Sequence, residues 1–404
     1  MNALVYGAGN IGRGFIGLLF SQAGYKVTFI DVNENIIKTL NENGSYPVKI
    51  VSNEESEETL VTGVKAINAI DEKEVINNIS QADIMAIAVG VRQLPLITPS
   101  ITGGLKKRFL NKAAPFNIII CENLLNADKY LAELIGKNLD TKEIKQLDEQ
   151  VGFVETSIGR MVPIQTPEMQ EGNILRVCTE KYAFLPVNKD ALKGDISKIK
   201  GIVPFSNFEF FIQRKLFIHN MGHASLAYLG LLLGETFISD AASRADILFI
   251  VQNAMLESAM ALHRKFNTEL SGLTDIIDHI KDLINRFNNK ALKDTCKRVG
   301  ADIERKLESN DRFIGAINCC KEQGVIPIFI SIGAAAAIFC LLKERELLQT
   351  QENAEVILKT IAALEKESGE ASLILNMYNR IVKGNSLQEI LRTALFISNK
   401  PEVI

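Results

Sequence analysis

The first half of the chain alternates two textures. Short runs at 3–6, 27–30, 84–89 and 117–121 are apolar, rich in β-branched residues and free of helical period, which predicts strands; 12–23 and 34–42 read as helices. Strand and helix in alternation imply right-handed crossovers and a doubly wound, mostly parallel sheet covered on both faces. Past residue 190 the pattern turns helical, with predicted helices at 208–233, 241–265, 276–287, 351–368 and 386–398. The expectation is an α/β N-terminal domain, 1–192, followed by a mostly α-helical C-terminal domain, 193–404, with the boundary in the polar stretch 188–202.

One apolar run, 325–342, has Ser331 as its one clearly polar side chain and touches the lower length limit of a membrane span. Pro327, Gly333 and the four alanines from Ala334 to Ala337 make it only modestly hydrophobic, so a buried helix is expected and no membrane. The same run could line an interface as readily as a core, which leaves a monomer and a homodimer both open.

Composition fits a large core: 404 residues are 47% hydrophobic, with mean hydropathy +0.10. The net charge is −3, and Lys and Arg are spread without a basic stripe, which argues against nucleic acid and for a small soluble partner. Six cysteines (121, 178, 296, 319, 320, 340) show no CxxC pairing and no companion histidines, so no metal site is expected and a reducing cytoplasm suits them. The opening MNALVYGAGNIG lacks the basic and apolar regions of a secretory leader, which again points to the cytoplasm.

That opening carries the first chemistry. Gly7, Gly9 and Gly12 stand in G-x-G-x-x-G spacing, after a predicted strand and at the mouth of a predicted helix. The first glycine permits the turn, the second lets backbone approach a pyrophosphate, and the third lets helix pack on strand. Asn10 and Ile11 lie inside the loop. The second predicted strand ends at Asp31, placed to accept hydrogen bonds from an adenosine ribose and to repel a 2′-phosphate, so NAD is the expected cofactor, in a Rossmann-like domain. Asn33 follows closely, and Val89 with Gly90 ends another strand at the sheet's carboxyl edge, where ligands of open α/β sheets bind.

The second chemistry lies in RKLFIHNMGH, 214–223. On an ideal α-helix, at roughly 100° per residue, Lys215, His223 and Asn220 fall near 0°, 80° and 140°, with His219 between them near 40°. Three polar types on one arc of an apolar helix suit hydride transfer from a secondary alcohol. A lysine desolvated by apolar neighbours can serve as base, an amide can donate to the developing alkoxide, and an imidazole can orient the hydroxyl or the lysine. No zinc constellation accompanies them, so a metal-independent mechanism is expected.

Over nearly its full length the chain resembles the polyol-specific long-chain dehydrogenases. The resemblance rests on GAGNIGRGFIG, DVN at 31–33, AVG at 88–90, CEN at 121–123, RKLFIHNMGHA, RFNN at 286–289, and RVG with RKL between 298 and 307. It implies an active site between the two domains, Lys215 as the acid and base, Asn220 with Asn123 stabilising the alkoxide, and His223 orienting. The implied reaction interconverts a sugar alcohol or its phosphate with the ketose, first of all D-mannitol 1-phosphate with D-fructose 6-phosphate. Reduction of a free ketose or hexuronate is the alternative, and a dinucleotide-binding sensor is the alternative of another class.

Two departures bear on the substrate. The family's V-D-R-I-V-P reads SIGRMVP here, so Gly159 replaces an aspartate while Arg160, a substrate residue by resemblance, remains; Ala301 stands where a further arginine is common. Arg298, Arg305, Lys306 and Arg312 still form a cationic group able to hold a sugar phosphate. The same residues also read as a solvated helix face paired with Asp302, Glu304 and Asp311.

Overall fold

The computed structural model describes residues 1–267 and 270–398, with 270 and 271 in backbone only. The chain forms two compact units that divide between Ile212 and Gln213.

In the first unit, β1 (Asn2–Tyr6), β2 (Lys26–Asp31), β5 (Val64–Asn68), β6 (Ile84–Ile87), β7 (Phe116–Ile120) and β8 (Val151–Glu155) make a fully parallel sheet in the order β5-β2-β1-β6-β7-β8. Counted within the sheet this is 3-2-1-4-5-6, the doubly wound order whose reversal beside the first strand opens a ligand crevice. Alternation along β1 shows why both faces are apolar: Ala3 and Val5 join Phe15, Phe29 and Tyr46 on one side, while Leu4 and Tyr6 join Met85, Ile101 and Ile118 on the other.

Seven strands were not legible in the apolar pattern: β5 and β8 of this sheet, and five outside it. A hairpin of β3 (Ser45–Val51) and β4 (Ser56–Thr62) pairs with β9 (Val177–Thr179), and β10 (Leu185–Asn188) pairs in parallel with β11 (Ile202–Phe205). β4 is mostly exposed, and β10 and β11 are four residues each with a proline inside, so neither alternation nor length marks them. The pairing of β10 with β11 also holds the polar stretch 188–202 within the first unit, so the division falls after Ile212 rather than at 192.

The second unit is helical and organised on Ile328–Glu344, whose residues from Ile328 to Ile338 are buried. It packs against Met221–Leu232, Ala245–Lys265 and Gly369–Val382. Small residues permit that crossing: a side chain at Gly333 would sit 2.6 Å from Ser225 Oγ. The buried Glu257 carboxylate accepts from the Phe329 and Ile330 amides and so caps the helix start. The apolar run 325–342 is thus core. Among the described residues Ala245–Lys265 alone is long and apolar enough to cross a membrane, and just over half of its apolar window is buried against its neighbours. Two predicted helices differ in detail. The 241–265 helix breaks at Arg244, whose ψ of 122° separates Ile238–Ser243 from Ala245–Lys265. The 351–368 helix stops at Thr360, since Ala363 adopts positive φ and Ser368 caps a new helix from Gly369.

Candidate active site

The glycine loop leaves β1 at Tyr6, and three glycines serve three different needs. Gly7 has φ of 102°, and a side chain there would collide with the Ala88 carbonyl; one at Gly12 would collide with the Gly7 carbonyl. Both are demanded by the protein's own packing. Gly9 is different, because a Cβ there would meet nothing within 4 Å. The fold does not need that glycine, whereas a second molecule laid against the loop does. Beside it lies a cavity of about 450 Å³ lined by Gly7, Gly9, Asp31, Ala88 and Val89, with the exposed side chains of Val32, Ile70 and Leu96 as apolar walls. Apolar walls around a carboxylate and a bare loop fit a planar base, a ribose and a pyrophosphate in turn.

Asp31 is already busy. Its Oδ2 accepts from the Ala8 amide at 2.6 Å and its Oδ1 from the Val32 and Asn33 amides at 2.8 and 2.9 Å, so it holds the glycine loop as well as facing the cavity. An ionised carboxylate offers about four acceptor sites, which leaves capacity for a ribose hydroxyl. The other expected cofactor residues divide. Val89 lines the cavity. Asn33 caps Glu34–Asn43 by accepting from the Ile36 amide, Asn10 donates to the Pro163 carbonyl at 3.1 Å, and Ile11 packs on the core. The Val89 and Gly90 amides donate to Glu122 Oε1 at 2.8 and 3.0 Å. Sequence reading missed Glu122, whose carboxyl is raised by burial and lowered less by those two amides. It also missed Arg13, buried and bonded to the Ala8 and Leu175 carbonyls, which pins the loop from behind.

The helix that carries Lys215 into the second unit is not a plain α-helix. Glu209–Arg214 and Met221–Leu232 are joined by a π-helical turn, Lys215–Asn220. A π-turn bonds residue i to i+5, so two residues five apart lie one above the other, as residues four apart do on an α-helix. The interval between Lys215 and Asn220 is five. The turn therefore closes the wide α-helical angle between the two positions. Both are half-buried, while Phe217, Ile218 and His219 point inward.

His223, one turn further, is gripped from two sides. Its ring stacks on Phe287 with centroids 4.9 Å apart and planes 18° apart, and its Nε2 lies 3.5 Å from Asp294 Oδ2. Burial lowers the His223 pKa more than Asp294 raises it, and Arg298 and Arg312 add to the lowering. For Asp294 burial acts upward, but His223 and Arg298 outweigh it and bring the carboxyl to about 2. A neutral imidazole thus faces an ionised carboxylate. His219 is buried deeper and held well below its ordinary value, first by burial and then by Arg286, His223, His279 and Lys215. It touches the same Phe287 ring.

The cationic group is largely spent. Arg298 forks onto both oxygens of Asp294, Arg305 bonds Asp302 and Asp311, and Arg312 bonds Asp311. Lys306 is buried with its ammonium on the Val299 and Ala301 carbonyls, and burial with Arg312 and Arg305 pushes its pKa down to about 7. In the first unit, Arg160 is buried, donates twice to the Glu180 carbonyl and lies over the Phe15 ring; burial lowers it to about 10. A side chain at Gly159 would press on the Tyr182 ring at 3.2 Å. Asn123 is exposed in the loop after β7, beside Glu122.

A glycine loop freed for a ligand at the switch point of a 3-2-1-4-5-6 sheet marks the class: a nicotinamide-dependent oxidoreductase with a separate helical unit. Residues 1–201 match the mannitol dehydrogenase Rossmann domain and residues 207–391 the mannitol dehydrogenase C-terminal domain. The chain belongs to the mannitol dehydrogenase family and is an NAD-dependent polyol dehydrogenase. Among its relatives are mannitol-1-phosphate 5-dehydrogenases of Shouchella clausii, 39% identical over 81% of this chain and 85% of the relative, and of Caldanaerobacter subterraneus, 35% identical over 91% and 95%. In fold it is similar to Pseudomonas fluorescens mannitol 2-dehydrogenase in ternary complex with NAD and D-mannitol: TM-score 0.78, 14% identity, covering 99% of this chain and 95% of that one.

Proposed function

We propose that the protein interconverts D-mannitol 1-phosphate and D-fructose 6-phosphate, as a cytoplasmic enzyme. The observation that carries the substrate is the kinship: relatives 34–39% identical over at least 81% of the chain are named for that reaction. In the oxidative direction Lys215, as the neutral amine, takes the proton of the reacting hydroxyl, and in reduction the ammonium returns it. Asn220, at the other end of the π-turn from Lys215, donates to the oxygen as charge develops on it, with Asn123 as the second donor. His223, neutral, orients the hydroxyl. NAD, when held against Gly7, Gly9, Asp31 and Val89, would supply the hydride acceptor; the protein's share is position, desolvation and proton transfer.

One observation favours a second reading, a free ketose or hexuronate as substrate: Arg298 and Arg305 are engaged with carboxylates rather than presented to a phosphate. NADH consumption with fructose 6-phosphate, fructose, fructuronate and tagaturonate side by side decides. Fructose 6-phosphate is expected to give kcat/KM at least about 100-fold above the others, a margin of about 3 kcal/mol. Preference for an unphosphorylated substrate would replace the first reading by the second, and NADH binding without any turnover would point to a sensor. Lys215→Ala is expected to lose at least about 1,000-fold in kcat with NADH affinity unchanged; near-normal turnover would remove Lys215 as base.

A further inference from the structure

Asp294 lies 71 residues beyond His223 in sequence, belongs to no motif of the reaction, and is nonetheless buried against the imidazole. It is held there by its own neighbours. Its carbonyl accepts from the Ile238 amide at 2.9 Å, and the next residue, Thr295, bridges to Phe237 and caps Cys296–Gly300. Arg298, one turn along, clamps both carboxylate oxygens.

The consequence is a choice of tautomer. A neutral imidazole has one N–H donor and one bare acceptor nitrogen, and an ionised carboxylate can only accept. Asp294 Oδ2 stands opposite Nε2, so the tautomer this carboxylate favours has the proton on Nε2 and the lone pair on Nδ1. The Phe287 stack fixes the ring plane, so the identity of the protonated nitrogen is what remains to be set. A separation of 3.5 Å is long for N–H···O, of the kind that tightens when a substrate is bound.

We propose that Asp294 is a positioning residue for the reaction: it fixes His223 as the Nε2–H tautomer, so that Nδ1 is presented as an acceptor, and Arg298 keeps Asp294 in place. The inference rests on the proposed role of His223. It also gives Arg298 a task other than holding a phosphate, since its Nε–Nη2 edge is committed to the carboxylate. Other charged or titratable groups acting on His223 are Arg298 and Arg312, with His219 6.2 Å away ring to ring. Neither arginine can accept a proton, so among these groups Asp294 is the one that selects the tautomer.

Nitrogen-15 NMR of the full chain with labelled histidine, assigned through His223→Ala, tests the tautomer directly and needs no Asp294 variant. Protonated Nε2 and bare Nδ1 are expected for His223; the reverse tautomer overturns the proposal. Turnover of whichever ketose the wild type reduces gives the second arm. Asp294→Asn should lower kcat by at least about 100-fold with the Kd for NADH unchanged, because an amide no longer selects the proton's place. In the His223→Ala background the same substitution should change kcat by less than about threefold. An equal loss in both backgrounds would mean that Asp294 does not act through His223, and the proposal fails. If the wild type reduces none of the ketoses, the substrate reading fails while the NMR result still decides the tautomer.

Discussion

Each unit carries a six-residue π-helical turn in a key helix: Gly12–Gly17 in the first and Lys215–Asn220 in the second. In the first, GRGFIG, all six residues are buried, and the turn is shaped by backbone meeting backbone. In the second, KLFIHN, the turn brings positions 215 and 220 onto one line, and on the proposed mechanism it serves their side chains. A backbone requirement must be met by the residue at that position, so it is written locally in the sequence. A side-chain requirement is met by partners such as Phe287 and Asp294, more than 60 residues away.

The largest effect should come from breaking the backbone device. Gly12→Ala drives a methyl into the Gly7 carbonyl, which has no room to move, so a loss of about 4 kcal/mol or more is expected, with the first unit failing to fold at worst. Gly9→Ala meets nothing, and calorimetry should show a melting temperature within about 1 °C of wild type. Its NADH Kd should nonetheless rise at least about tenfold, about 1.4 kcal/mol, because the methyl occupies the path of the pyrophosphate. Wild-type affinity in Gly9→Ala would show that the open space serves no ligand.

This contrast explains what could be read before the fold was known. Gly7, Gly12 and Asp31 were legible because local sterics and strand termination fixed their places. Asn10, Asn33 and Gly90 stood in the right segments, but their polar groups turned to capping, loop closure and Glu122, which only tertiary contacts decide. Lys215, Asn220 and His223 were legible as one face. The α-helical angles assumed for them were not right, since nothing in the residue types announces a π-turn. Asp294 could have been noticed as the partner of Arg298 four residues on, yet its approach to His223 depends on how the 287–298 segment folds back. The exposed and proline-containing strands β4, β10 and β11 carried no alternation to read.

Acid should separate the two units, with an effect of intermediate size. All four histidines lie in the second unit. His279 is lowered to about 3, by burial first and then by Arg214 and Arg286. Its folded value lies below the unfolded value near 6.5, so below that pH the unfolded chain binds the extra proton and stability falls with acid. Between pH 7.5 and 5 this one residue costs about 2 kcal/mol. Glu155, in the first unit, behaves oppositely: burial and Asp128 raise it to about 7, so its contribution is full at low pH and is lost as pH rises through 7. Urea unfolding at both pH values should therefore show His279→Gln less acid-sensitive than wild type by about 2 kcal/mol. Glu155→Gln should differ from wild type in the opposite direction. Matching pH responses in wild type and His279→Gln would show that His279 is not kept neutral.

The smallest effect concerns the residue that most resembles a phosphate ligand. Arg305 is partly exposed and its guanidinium is divided between Asp302 and Asp311, pairs of a kind that contribute up to about 1 kcal/mol each. Arg298, by contrast, is bound to a single buried carboxylate that faces His223. Removing Arg305 should therefore cost little stability and should shift KM for fructose 6-phosphate and for fructose by the same factor, within about twofold, which is below 0.5 kcal/mol. A KM increase of tenfold or more confined to the phosphorylated sugar would mean that the guanidinium leaves Asp302 and Asp311 to take the phosphate. The difference between Arg298 and Arg305 would then be one of ligand and not of support, because only one of the two would touch the substrate.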